Sequence, residues 1–434
     1  MKIFSMFDGV GGFIVGLNNS DSDFFNTAYS NQFEPSRKTQ DAFEVGVYRF
    51  PCMEHINTDV GLIPNTKFDE MREAGVEMIV GGFPCQDYSV ARSKKHELGI
   101  QGKKGTLFWE IIRAVTHIRP RYLILENVDR LLKSPSKQRG RDFAIMLAAF
   151  NNLDYSVEWR VINAADYGRS QRRKRVFFFV YRNDLKWAKN IDSLFEKEDS
   201  QHLNLFTDDI DGHAYDDYIF QTGLFARQFP VKLTANKNRH TFGMLSNDVV
   251  DISDNFTGQI WNSGVMRHGR YYSIDTEPTM EEEPLTLKEI LQPEHEVDEK
   301  YYITGDKLEK FAYLRGPKKI ERTSETGHTY IYAEGGMSPH DSLDLPGRTM
   351  LTSEGTINRS THLIKINGRY RLLTPVEAER LQDFPDNWTK YKQISSGDVI
   401  EVSDRMRWFF MGNALVTGIV KRIGDELKKI DTAY

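Results

Sequence analysis

The sequence predicts an α/β protein, a doubly wound sheet domain with a smaller, strand-rich domain attached. Three observations predict it. A short apolar strand at residues 2–7 runs into the glycine turn Asp8-Gly9-Val10-Gly11-Gly12, and an apolar-periodic helix follows, the opening of a doubly wound fold. Apolar strands and periodic helices then alternate as far as about residue 182. From there to about residue 363 that periodicity weakens. Asn, Asp, Gly and aromatic residues punctuate short apolar runs, the pattern of a second domain with many short strands.

The totals bound what such a chain can be. Its 434 residues leave room for two or three domains at roughly 100–200 residues each. Hydrophobic residues at 39% fill a sizeable core, and two cysteines exclude a disulfide framework and a cysteine-rich zinc site. No metal is expected. The start of the chain reaches Asp8 too soon for a signal-peptide core. No apolar run approaches the roughly 20 residues of a membrane span, so a cytoplasmic protein without membrane contact is expected. The net charge is −5, so any nucleic-acid surface must be local.

Taken in order, Gly9-x-Gly11 lets a ligand approach the backbone, but the third glycine, Gly12, is adjacent, so dinucleotide spacing is absent. A second strand at 25–30 ends in Asn31-Gln32-Phe33-Glu34, where such folds place a ribose-binding carboxylate. Residues 55–60 carry Asp59 near their end; it and Glu34 read equally well as ligand contacts and as caps. Next comes Ile79-Val80-Gly81-Gly82-Phe83-Pro84-Cys85-Gln86-Asp87-Tyr88-Ser89, an apolar strand running out into glycines, a proline and a thiol. Cys85 thus sits at the carboxyl end of a strand and reads as a nucleophile. Cys52 lacks the preceding strand and glycine pair and reads as ordinary.

Residues 90–104 carry Arg92, Lys94, Lys95, Lys103 and Lys104 without periodicity, a basic loop able to close over an anionic substrate. A helix follows through His117. The strand at 121–128 ends in Glu126-Asn127-Val128, which puts Glu126 at the same sheet edge as Cys85. A carboxylate there is costly to bury without a partner. After a helix at 142–150 and a strand at 155–163, residues 169–175 hold five basic side chains in seven. They enter the strand at 176–180 with Arg173 and Arg175 on one face. Such a cluster suits phosphate or base contacts. Basic stretches recur at 236–240 and 267–272. Near residue 374 a helix opens with Thr374 as N-cap and Pro375 in its first position, and the chain closes with an amphipathic helix to Lys429.

Together these stretches resemble the DNA cytosine-5 methyltransferases over most of the chain outside about 182–345. Phe7-Asp8-Gly9-Val10-Gly11-Gly12 is similar to the family's S-adenosylmethionine (SAM) loop, Pro84-Cys85-Gln86 to its nucleophile motif, and Glu126-Asn127-Val128 to its Glu-Asn-Val motif. Gln171-x-Arg173-x-Arg175 matches the Gln-x-Arg-x-Arg motif. Residues 371–385 resemble the late helix motif, and Gly412-Asn413 the final one. The resemblance implies Cys85, Glu126, Arg173 and Arg175 as the catalytic group, with Arg173 on the cytosine O2. It implies SAM held by Phe7, Gly9, Val10, Gly11, Gly12, Gln32, Phe33, Asp59, Val60, Pro84, Leu107, Asn413 and Leu415. Double-stranded DNA would meet Gln86, Ser89, Arg92, Gln171, Arg348 and Thr349. A restriction endonuclease acting on the same site is the implied companion. The implied architecture is a catalytic domain of residues 1–185 and 405–434, a target-recognition domain of 186–362 and a hinge of 363–404. A transfer-RNA cytosine-5 methyltransferase is the near rival, disfavoured by the long recognition segment. The chain departs from the pattern at the ribose. Gln32 stands where the family carries an acidic residue, and two readings stand: Gln32 faces the ribose with Glu34 a solvated turn residue, the expectation, or Glu34 takes over that contact.

Overall fold

The computed structural model describes residues 1–83, 107–201, 213–233, 239–324 and 327–434. A ten-stranded sheet runs through its centre. The strands are β1 (Lys2–Met6), β2 (Asn26–Asn31), β3 (Glu54–Ile56), β4 (Val76–Gly82), β5 (Tyr122–Val128), β6 (Tyr155–Asn163), β7 (Lys174–Arg182), β8 (His240–Met244), β9 (Ser263–Arg267) and β10 (Arg270–Ile274), and their order is β3-β2-β1-β4-β5-β7-β6-β9-β10-β8. The first five in that order are parallel, and β7 returns antiparallel beside β5. The strand order reverses beside β1, and ligands bind in such folds outside the carboxyl ends of the strands near that point.

Both faces of the sheet are covered, as the continuous apolar runs in β4, β5 and β7 require. Alternation divides each strand between two cores. Leu123, Leu125 and Phe178 face helices α4 (Leu107–Ile118) and α5 (Arg141–Asn152), while Tyr122, Ile124 and Phe179 face the C-terminal helix Thr417–Ala433. That last helix packs on the helix Gly12–Asp21, which follows the glycine turn. A side chain at Gly16 would lie 2.5 Å from Val420 Cβ, so the approach of the two helices requires glycine there. Ser20 also donates to Asp425 at 2.7 Å. A third apolar cluster joins Val10, Val15 and Val45 to Leu287, Met350, Leu381, Phe384 and Trp408, and so seats the later part of the chain on the start.

Three features go beyond the sequence reading. The break expected at residue 186 is not where the sheet ends. β8, β9 and β10 extend it, with Val157–Arg160 of β6 pairing antiparallel to Ser263–Met266 of β9. Short separate sheets appear only later, among them the exposed ribbon Lys318–Thr323 with Thr329–Glu334. Asp59, read equally as ligand contact or cap, caps the 3-10 turn Val60–Leu62 by accepting from Gly61 N at 3.0 Å, beyond the end of β3 at Ile56. A helix that periodicity did not suggest, Asp404–Asn413, leads into the Gly412-Asn413 pair. The Thr374 cap is present in full: its hydroxyl accepts from Glu377 N, and the Glu377 carboxylate accepts from Thr374 N.

Candidate active site

Parallel strands β1, β4 and β5 end side by side. The register aligns Met6 with Gly81 and Gly82 with Glu126. Each glycine has its own reason. A side chain on Gly81 would lie 2.7 Å from the Met6 carbonyl oxygen, and one on Gly82 would lie 3.0 Å from Glu126 Oε2. Gly82 therefore leaves the space into which the Glu126 carboxyl leans. The neighbouring Asn127 donates to the Phe83 carbonyl at 2.8 Å, fixing the backbone one residue before Pro84. Pro84, Cys85, Gln86, Ser89 and Arg92 lie outside the described residues, as does the rest of the basic loop.

Glu126 pairs with Arg175 Nε at 2.8 Å across β5 and β7. Burial pushes its carboxyl up, opposed by Arg175 and Arg173. A carboxyl held in this way keeps a proton further up the pH scale than a free one and can donate it.

The two arginines part company. Arg173 was expected on the substrate, yet it is buried, donating to the Met350 and Gly412 carbonyls at 3.0 Å each. Gln171, expected at the DNA, is wholly buried. It donates to Leu381 O and accepts from Met350 N, each at 3.0 Å. Arg348 is spent on Asp341, at 2.5 and 3.1 Å. Thr349 is half-buried, its hydroxyl donating to the Arg172 carbonyl at 2.6 Å. Gln171, Arg173 and Gln382, which donates to Met411 O at 2.5 Å, thus form a polar knot tying the start of β7, the 346–352 loop and the late helices together. Residue type carried no sign of this. Only the fold shows that these amides and guanidiniums face carbonyls. The guanidinium that pairs with the Glu126 carboxyl is that of Arg175.

Of the residues expected to hold the cofactor, Phe7, the glycines, Gln32 and Phe33 lie just past the ends of β1 and β2. Gly9 and Gly11 have φ of 60° and 86°, which explains why glycine stands at both. A side chain on Gly9 would meet nothing within 4 Å, whereas one on Gly11 would strike Phe50 at 2.7 Å. The open side of the loop is thus at Gly9. Asp8 follows Phe7, which itself has φ of 55°. Burial pushes the Asp8 carboxyl up to about 7 despite the Ser5 hydroxyl that donates to it at 2.5 Å. Phe33 is an exposed aromatic at the end of β2. Leu415 packs on Gly12, and Asn413 is exposed beside it. Val60 is buried, its carbonyl held by Arg113 at 2.7 Å, and Leu107 opens α4.

Gln32 departs from its expected place. Its side-chain oxygen accepts from Gly9 N at 2.8 Å, so it braces the glycine loop. It also hydrogen-bonds Glu34, whose carboxyl is pushed up by partial burial. Glu34 is therefore a partner of Gln32 and no mere solvated turn residue.

A family model described as C-5 cytosine-specific DNA methylase matches residues 1–429. The chain is 51% identical over 432 residues to the Type II methyltransferase M.Sau3AI of Staphylococcus aureus, covering 100% of this chain and 96% of that protein. It is 30% identical over 210 residues to the Type II methyltransferase M.HhaI of Haemophilus parahaemolyticus, 48% of this chain and 56% of that one. The solved structure of S. pombe Dnmt2 methyltransferase shares the fold, with a TM-score of 0.56 at 12% identity over 99% of both chains. The Entamoeba histolytica methyltransferase EhMeth does so at 0.53 and 14%, covering 99% of this chain and 98% of that one.

Proposed function

Because this chain belongs to the C-5 cytosine-specific DNA methylase family, we propose that it methylates C5 of a cytosine flipped out of duplex DNA, through a covalent Cys85 adduct. The enzyme is a DNA cytosine-5 methyltransferase of the Type II kind found in restriction–modification. The observation that carries the finer reading is the Glu126 carboxyl. It leans over Gly82, three residues before Cys85, with Arg175 at 2.8 Å.

The cradle at Gly9 and the exposed Phe33 ring fit an adenosyl cofactor. SAM would lie along Gly9, Gly11 and Gly12, with Phe33 on the adenine and Asp59, Val60, Leu107, Asn413 and Leu415 around it. Bound there, it supplies an electrophilic methyl group. The chain's own residues do the rest. Cytosine C5 is a poor nucleophile until a thiolate adds at C6, so Cys85 forms a bond there and turns C5 into an enamine-like carbon. Glu126 carries a proton to N3 and offsets the charge that develops on the ring. Arg175, which pairs with that carboxyl, orients it and would take the contact to the cytosine O2 in place of the buried Arg173. Loss of the C5 proton and departure of Cys85 restore the ring. None of this reaches a stacked base, so the nucleotide has to leave the helix. Residues between 186 and 362 read the target sequence, and a cognate endonuclease cuts the same unmethylated site.

The test is expression in a host lacking cytosine methylation, with 5-methylcytosine mapped in the host DNA. A sequence-specific pattern that vanishes in Cys85→Ser and persists in Cys52→Ser is expected. DNA carrying 5-fluorocytosine at the target should trap a Cys85 adduct through denaturing electrophoresis, since fluorine cannot leave as a proton does. Unaltered methylation in Cys85→Ser would overturn the mechanism.

A further inference from the structure

A cavity of about 510 Å³ opens between the 33–40 loop, the 352–356 loop and the first half of helix Asp404–Asn413. Arg37 and Arg405 line it together with the hydroxyl residues Thr352, Ser353 and Thr356. The Arg37 guanidinium lies over the Phe409 ring, 4.1 Å from its centroid, and donates to the Met406 sulfur at 3.2 Å, a weak acceptor. Among the described residues neither arginine has an ion-pair partner, and the lining holds no carboxylate. Glu34 and Asp41 feel the charge of Arg37 without pairing with it, Glu34 being hydrogen-bonded by Gln32 and Asp41 held by Lys392 at 2.6 Å. Asp404 is taken by Lys300 at 2.7 Å and Glu354 by His362 at 2.9 Å. Two unpaired guanidiniums among hydroxyls suit an anion with several acceptor oxygens.

The position narrows the ligand. The helix that begins at this cavity ends at Asn413, beside the glycine loop. From Arg405 to Asn413 it rises about 12 Å at 1.5 Å per residue. That is the span of three or four base-pair steps of B-DNA at about 3.4 Å each. The 352–356 loop also follows directly on Met350, which the knot at Gln171 and Arg173 holds against the start of β7.

We propose that this cavity seats one phosphodiester of the substrate's backbone, a few nucleotides from the target cytosine, between Arg37 and Arg405. The proposal rests on DNA being the substrate. Phe409 under the Arg37 guanidinium holds it in place, so little side-chain freedom is lost when the phosphate arrives. A contact of this kind fixes register and carries no sequence information.

The experiment compares wild type with the Arg37→Ala/Arg405→Ala double variant and its Lys/Lys counterpart. The affinity for target and non-target duplex is measured between 50 and 200 mM salt. Losing one phosphate contact should flatten the slope of log affinity against log salt by about 1. The Ala/Ala variant then loses roughly three- to fourfold less affinity than wild type over that range. Its weakening is the same for target and non-target DNA, and the Lys/Lys variant keeps the wild-type slope. SAM titrated by calorimetry binds both variants as it binds wild type. An unchanged slope overturns the proposal, even where inorganic phosphate raises the melting temperature of wild type alone. Loss of SAM binding with DNA binding intact overturns it too and assigns the cavity to the cofactor. Methyl transfer by wild type on the same duplex is read in parallel, so failure of the substrate assignment shows separately, as no 5-methylcytosine at all.

Discussion

Gly82→Ala isolates the geometry of the Glu126 carboxyl without touching a charged group. The added methyl would lie 3.0 Å from Glu126 Oε2, against 3.4 Å for the start of ordinary contact. The oxygen has to retreat about 0.4 Å, and its pairing with Arg175 at 2.8 Å limits where it can go. If displacing a catalytic group by 1 Å costs about 10²-fold in rate, 0.4 Å costs about sixfold. Stability should move the other way or not at all, because replacing glycine by alanine in a compatible strand conformation stabilises by roughly 0.4–1 kcal/mol through the unfolded chain. The expected signature is a fall in kcat of about sixfold with an unchanged or higher melting temperature and unchanged SAM affinity. Gly81→Ala is the control. Its methyl would meet the Met6 carbonyl at 2.7 Å, a backbone atom of the adjoining strand that cannot swing aside. It should lower stability by about 1–3 kcal/mol. Single-turnover methyl transfer with tritiated SAM, alongside thermal melts, measures both. Wild-type kcat in Gly82→Ala would refute the claim that Glu126 acts from the position seen here.

Three further outcomes follow from the same structure. Arg173→Ala should unfold earlier, because each buried carbonyl left without a donor costs about 1–3 kcal/mol, whereas Arg175→Ala should keep its melting temperature and lose kcat; melts and rates on the two variants separate the roles. Gln32→Glu should weaken SAM binding in calorimetric titration, since a second carboxylate would face Glu34, and a tighter complex would return Gln32 to the ribose. Burial pushes the Glu158 carboxyl up to about 7, opposed by Arg160, the Phe225 and Leu224 N–H groups and the Tyr218 hydroxyl. Its folded value lies above its unfolded one. The stability it contributes is therefore fully present below about pH 4.5 and lost as pH rises through about 7, a change on the order of 3 kcal/mol. The unfolding free energy of wild type, from urea titrations, should fall by that amount relative to Glu158→Gln between pH 4.5 and 8, and parallel curves would exclude the effect.

Local signals made the first half of the fold legible. The strand, glycine turn and helix at the start, Glu126 at the end of an apolar run, and the Thr374-Pro375 cap each depend on residues within a few positions of one another. What stayed hidden depends on distant neighbours. Gln171 and Arg173 read as ligand-facing because nothing in an amide or a guanidinium tells whether it will meet DNA or a carbonyl; their partners lie 177 to 239 residues on. The strands at 240–274 looked like part of a separate domain because their partner is β6, about a hundred residues earlier. Gln32 was placed on the strength of its position at the end of β2. Its bond to Gly9 arises from a loop 23 residues upstream. Arg37 and Arg405 come from opposite ends of the chain, and no motif joins them.

The extension of the sheet through β9, β10 and β8 also decides where this gene can be recombined. An exchange that begins at residue 186 removes three strands and leaves the Val157–Arg160 edge of β6 without its ladder, an invitation to pair with another chain. Splice points after Ile274 and before Gly347 leave the sheet closed on that side. They also keep Met350 in register with Gln171 and Arg173. Between them lies the exposed Lys318–Glu334 ribbon, anchored at its base where Met337 N meets Arg315 O at 2.8 Å and Arg315 meets Asp341 at 2.7 Å. A cassette cut at those points exchanges a whole surface provided it keeps Arg315 and Asp341, which also meet Thr361 O, Arg348 and Leu363 N outside it.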